Sequence, residues 1–168
     1  MNSGISTDFK DIVISEAVTV VPKMTKPQIA HLSFIHYMKN ISVKSIRNIY
    51  ELELFSKVVQ GTFSTGLDLS ESQKRHLEYT GSCSIASMMR VNIYDLWVSD
   101  LYKHLGYTEI ESFKKDIMKF APVTKQLLDA FDQNNNHGDI ILTSVGQAIA
   151  LANLSRVMGK LDYSIWIN

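Results

Sequence analysis

One helix-start signature recurs along the chain and constrains it more than any other feature. Thr25-Lys-Pro-Gln28, Ser70-Glu-Ser-Gln73 and Thr108-Glu-Ile-Glu111 each set a hydroxyl three residues before Glu or Gln. At that spacing the hydroxyl accepts the third helical amide and the longer side chain reaches back to the capping residue's own amide. Gly61, Gly81, Gly106 and Gly159 each follow a run that reads as helix (a short, polar one before Gly81), where a left-handed residue can close it. Eight glycines and three prolines in 168 residues leave little room for loops. The expected fold is mainly α, a multi-helix bundle forming one domain over residues 1–168, with a small two-stranded β element near the C-terminus.

The apolar spacing fills in the elements between these signals. A first helix is expected from Asp8 to Val21, stopped by Pro22. The second follows Thr25 and carries Ile29, Leu32, Phe34, Ile35 and Met38. A third runs from a Ser42 cap to Gly61, with apolar residues around most of its circumference, as in a helix buried on several sides or held in a partner interface. A long helix from Ser84 to Leu105, divisible at Asn92, comes next. Thr108 opens another, and Pro122 suits the first position of the one after it. Asp139–Leu142 and Tyr163–Ile167 read as strands that can pair. Between them Thr143 or Ser144 caps a helix reaching Met158.

Charge and cysteine content narrow the classes of function. Seventeen basic residues balance seventeen acidic ones, and both signs are spread evenly along the chain. A nucleic-acid module normally carries a basic excess because phosphate contacts supply most of its non-specific affinity. No apolar run approaches the ~18 residues of a membrane span. Cys83 is the single cysteine and has no partner for an intramolecular disulfide. Met1–Lys10 shows neither the basic nor the apolar region of a secretory signal. The expected setting is cytoplasmic and reducing.

No motif assembles a reaction centre. The histidines at 31, 36, 76, 104 and 137 form no metal-binding pair, and His31 and His36 face about 140° apart on a helix. Cys83 sits in a turn where a helix N-terminus could activate a thiol, but a buried packing role fits its Gly-Ser-Cys-Ser surroundings better. The Gly61-x-x-x-x-Gly66 spacing lacks the Lys-Ser/Thr of a phosphate loop. The acidic pairs Glu51/Glu53 and Glu109/Glu111 read as a helix surface and a helix start. No metal, cofactor or catalytic residue is therefore expected. Tyr94, Tyr102 and Trp166 are the candidates for an interface: the two tyrosines fall away from the apolar helix face that Trp97 joins, and Trp166 shares a strand face with Ser164 opposite Tyr163, Ile165 and Ile167.

Two resemblances accompany these patterns. Leu142-Thr-Ser-Val-Gly146 and Met24-Thr-Lys-Pro-Gln-Ile-Ala-His-Leu32 resemble parts of winged-helix domains, although residues 123–132 read as helix where the wing's preceding strand would fall. A second set spreads over the whole chain: Ala17–Gln28, Leu77–Cys83, Leu142–Asn153 and Asp162–Ile167. These segments are similar to the C-terminal module of a poorly characterised bacterial family. That resemblance implies a mostly helical accessory region of a longer cytoplasmic protein, and it supplies no catalytic residues.

The expected function is a non-enzymatic interaction or assembly module, self-associating or docking a protein partner through apolar helix faces. The alternative is a winged-helix-like nucleic-acid binder, for which Lys44, Arg47, Lys74, Arg75, Lys114, Lys115 and Lys119 are the available cations.

Overall fold

A computed structural model describes residues 8–88, 90–133 and 137–159. Among them are eight α-helices and one antiparallel pair of short strands. The elements run α1 (Phe9–Val20), α2 (Lys26–Asn40), α3 (Ile49–Phe63), α4 (Glu71–Tyr79), β1 (Cys83–Ile85) and α5 (Ile93–Leu96). They continue with α6 (Ile110–Phe120), α7 (Pro122–Gln133), β2 (Ile140–Leu142) and α8 (Ser144–Met158).

Much of the local punctuation acts as its spacing dictates. Thr25 and Gln28 form a reciprocal capping box on α2, and Ser70 and Gln73 do the same on α4. Thr143 accepts the Gly146 amide at the start of α8. Pro22 sits in a short 3-10 turn, Val21–Lys23, that closes α1. Gly81, Gly106 and Gly159 all adopt positive φ.

Four expectations are corrected. Asn48, not Ser42, caps α3, its side chain accepting the Tyr50 and Glu51 amides, while the Ser42 hydroxyl donates to the Leu101 carbonyl. The helix then passes straight through Gly61 and ends at Phe63. Thr108 caps nothing; α6 starts at Ile110 with no side-chain cap. The first part of the expected Ser84–Leu105 helix is strand β1, and the helical part starts after Asn92, which caps α5 by accepting the Asp95 amide. A π-helical turn, Trp97–Leu101, carries α5 onward.

The small sheet forms across the chain. β2 pairs with β1, matching Cys83 to Leu142, Ser84 to Ile141 and Ile85 to Ile140. The expected partner strand, Tyr163–Ile167, lies outside the described residues. Two strands alone are marginal. Here they rest on α2, α4 and α8. The start of α8 is pressed onto the turn before β1: a Cβ at Gly146 would collide with the Ser82 carbonyl oxygen, and the Thr143 amide donates to that same carbonyl at 3.0 Å.

The central helix is α2, not α3. From Ala30 to Met38 every residue of α2 is buried, with α3, α4, α5, α8 and β2 arranged around it. Its polar side chains conceal this in the sequence, because each of several finds a partner inside. His31 Nδ1 lies 2.7 Å from the Gly66 carbonyl oxygen, which makes it the donor. The Gln28 amide donates to the Gln73 carbonyl at 3.0 Å, and the Asn153 amide donates to the Ser33 hydroxyl at 2.9 Å. Burying such groups costs little once they are hydrogen-bonded. Trp97, fully buried, donates its indole N–H to the Met38 carbonyl at 2.8 Å.

Candidate functional site

The interior holds the reactive-looking side chains in inert states. Cys83 is buried, and burial followed by the nearby Glu78 charge pushes its thiol up to about 12, so it stays protonated at neutral pH. His31, His36 and His137 are buried as well. Burial holds His36 and His137 down to about 4, with the Lys74 charge adding to the effect on His137. Burial, then the neighbouring His137, holds His31 down to about 3. Their imidazoles are therefore neutral and act as packed rings; His31 and His137 also bond backbone carbonyls and lie with ring centroids 5.1 Å apart. Among the described residues no group of three or more His, Cys, Asp or Glu is placed to hold a metal ion.

The tyrosines expected at an interface are inside the chain instead. Tyr94 is 6% exposed and Tyr102 2%. Tyr102 packs on Trp97 with ring centroids 4.7 Å apart. The Tyr94 hydroxyl donates to Asp129 of α7 at 2.6 Å, and the Lys114 ammonium lies over the Tyr94 ring. Burial, then the hydrogen bond to Asp129, raises the Tyr94 phenol. Both rings lie off the apolar stripe of an ideal helix: Tyr94 stands in α5, ahead of the π-helical turn at 97–101, and Tyr102 directly follows that turn. Trp166 lies outside the described residues. Of the cations considered for nucleic acid, Lys74 is buried and pairs with Glu71, Arg75 with Glu78, and Lys114 with Glu111.

The surface carries several grooves among the described residues, and two of them flank α8. The first runs between α1 and α8 and encloses about 510 Å³. Ile14, Val18, Val21, Pro22, Ala148 and Ala152 are among its walls, and every residue lining it is apolar. It exists because α1 turns Val13, Ala17 and Val20 inward yet also bears apolar residues beyond that stripe. Phe9, Ile12 and Val21 remain exposed, and Val18 is 69% exposed. The small side chains of α8 lower the opposite wall. The periodicity of α1 contained this signal, since its apolar residues exceed what one buried stripe needs.

The second groove, about 570 Å³, lies where the start of α2, the end of α3 and the end of α8 meet. Lys26, Val58, Gly61, Thr62, Arg156 and Val157 are among its walls. Tyr50, Leu54 and Val58 lead into it along one exposed face of α3. The all-round apolar character of α3 thus resolves into a buried face, with Leu52, Val59 and Phe63, and an uncovered one. Local patterns offer no signal for this groove, because its walls come from three distant parts of the chain.

An uncharacterised family has a model that matches this chain over residues 3–111 and 98–167. The chain belongs to that family. No curated protein and no solved structure matches the chain. No helix among the described residues is long and apolar enough to cross a membrane.

Proposed function

We propose that this chain is a non-enzymatic interaction or assembly module that docks a protein partner, or a second copy of itself, through apolar helix faces. The observation that carries the reading is the wholly apolar α1–α8 groove beside the exposed Val18. Contiguous apolar surface of this kind marks a contact face more often than a solvated one. Covering side chains such as Val18 and Ile12 would contribute about 1–2 kcal/mol each to association. Zero formal net charge removes the long-range repulsion that would oppose self-association. The inert Cys83 and neutral histidines support a binding role over a catalytic one. The resemblance to an accessory region of a bacterial cytoplasmic protein is in keeping with it.

Light scattering at micromolar concentration, paired with affinity capture, tests the proposal. A species larger than the monomer, or a stoichiometric partner, is expected, and Val18→Glu should abolish it while leaving the far-UV circular dichroism unchanged. A clean monomer that captures nothing, or an assembly indifferent to Val18→Glu, would overturn it.

A further inference from the structure

We infer that the second groove, at the junction of α2, α3 and α8, docks a carboxylate-bearing apolar segment of a partner protein. This deepens the interaction reading by naming a partner's chemistry, at walls that do not overlap those of the α1–α8 groove.

The charge on the groove is of one sign. Lys26 and Arg156 both line it, and no Asp or Glu does. Neither cation has a carboxylate within salt-bridge distance among the described residues, a state they share with Lys23, Lys44 and Lys119 among others. Arg156 has an ordinary explanation, since a cation in the last turn of α8 suits the helix dipole. Lys26 does not. It is the first residue of α2, a helix with no acidic residue in its first turn, so its ammonium adds to the positive end of the dipole. The helix gains nothing from a cation there; an incoming carboxylate would.

Exposed apolar side chains also line the groove, beside Thr62, Thr65 and Asn153. Val58 is 57% exposed and Val157 42% exposed. Gly61, inside α3 and in ordinary helical conformation, lines the groove too, and beyond its own helix backbone no atom lies within 4 Å of where its Cβ would stand. Glycine weakens a helix interior relative to alanine. Neither a positive φ nor a crowded neighbour in this fold requires it. Its absent side chain keeps the floor open to close approach from outside. Apolar anchors can therefore settle against Val58, Gly61 and Val157 while carboxylates reach Lys26 and Arg156, the arrangement of an amphipathic acidic helix laid in a groove.

A fluorescein-labelled helical peptide of about 15 residues, with Leu at i, i+3, i+4 and i+7 and flanking Glu, serves as the probe, beside a peptide with Lys in place of Glu. Anisotropy against the full chain should show the acidic peptide binding and the basic one not, with affinity falling several-fold between about 50 and 300 mM salt. The double variant Lys26→Glu/Arg156→Glu should weaken the acidic peptide at least about tenfold. Gly61→Leu, which favours the helix yet fills the floor, should abolish binding with unchanged circular dichroism, and it keeps the test sound if the double variant unfolds. Equal binding of the two peptides, no binding of the acidic one, or binding insensitive to these variants would overturn the inference. Val18→Glu should leave peptide affinity unchanged, so the outcome is separable from that of the α1 test.

Discussion

Glu53 on α3 is the cap of α7. Its carboxylate accepts the Thr124 amide at 3.0 Å and the Thr124 hydroxyl at 3.1 Å, and its other oxygen accepts the Val123 amide at 3.1 Å. Because Thr124 spends its only hydroxyl proton on Glu53, the Ser56 hydroxyl must be the donor in the 2.8 Å contact with Thr124. A buried acidic residue from one helix thus satisfies the free amides at the start of another, 70 residues away.

Glu53→Ala should therefore destabilise the fold by about 2–4 kcal/mol, since it leaves buried donors unpaired. The thermal midpoint should fall by roughly 5–12 °C. Glu53→Gln should cost less, because one oxygen remains to accept an amide. Thermal unfolding followed by circular dichroism measures both, and an Ala variant within a degree of the parent would refute the capping role.

The two glycines Gly61 and Gly146 should respond oppositely to alanine. Gly61→Ala meets no neighbour and should stabilise by about 0.5–1 kcal/mol, the usual helix-interior difference. Gly146→Ala drives a methyl into the Ser82 carbonyl and should cost more than about 2 kcal/mol, loosening α8 from the β1–β2 pair. Denaturant midpoints compare the two directly.

Acidification should weaken the fold through its buried histidines. In the folded state His31 is held down to about 3, and His36 and His137 to about 4, all below the unfolded value of 6.5. Their contribution is complete above pH 6.5. As pH falls from there towards 4, the unfolded chain takes up protons that the folded one refuses, so stability declines. The limiting slope is about 1.4 kcal/mol per pH unit for each histidine. Denaturation midpoints from pH 7.5 to 4.5 measure this, and His31→Gln should flatten the profile. A midpoint that rises on acidification would contradict it.

Cys83 should react with a thiol reagent only on unfolding. Its protonated, buried sulfur predicts that labelling by an aromatic disulfide is slow in buffer and rapid in denaturant. Fast labelling of the native chain would show the thiol to be accessible.

The parts of this fold legible in the sequence are those set within a few residues. The Thr25/Gln28 and Ser70/Gln73 boxes, the Thr143 cap and the left-handed Gly81, Gly106 and Gly159 depend on hydroxyl reach and backbone sterics that spacing alone specifies. Thr108 fails in the same local grammar, since a box pattern states only what the side chains can reach. The mainly helical class followed from these signals and from apolar periodicity.

Tertiary structure decided everything that depends on which distant surfaces meet. Nothing near Cys83 announces Leu142 as its strand partner, or near Glu53 that Thr124 will sit against it. Whether Gly61 ends α3 or lies inside it depended on what packs against that helix, and the polar residues of α2 could be central only because Gly66, Gln73 and Asn153 arrive to pair with them. Local chemistry determines where a helix can start and stop; burial, which is a property of pairs far apart in the chain, determines which of its faces is left for a partner.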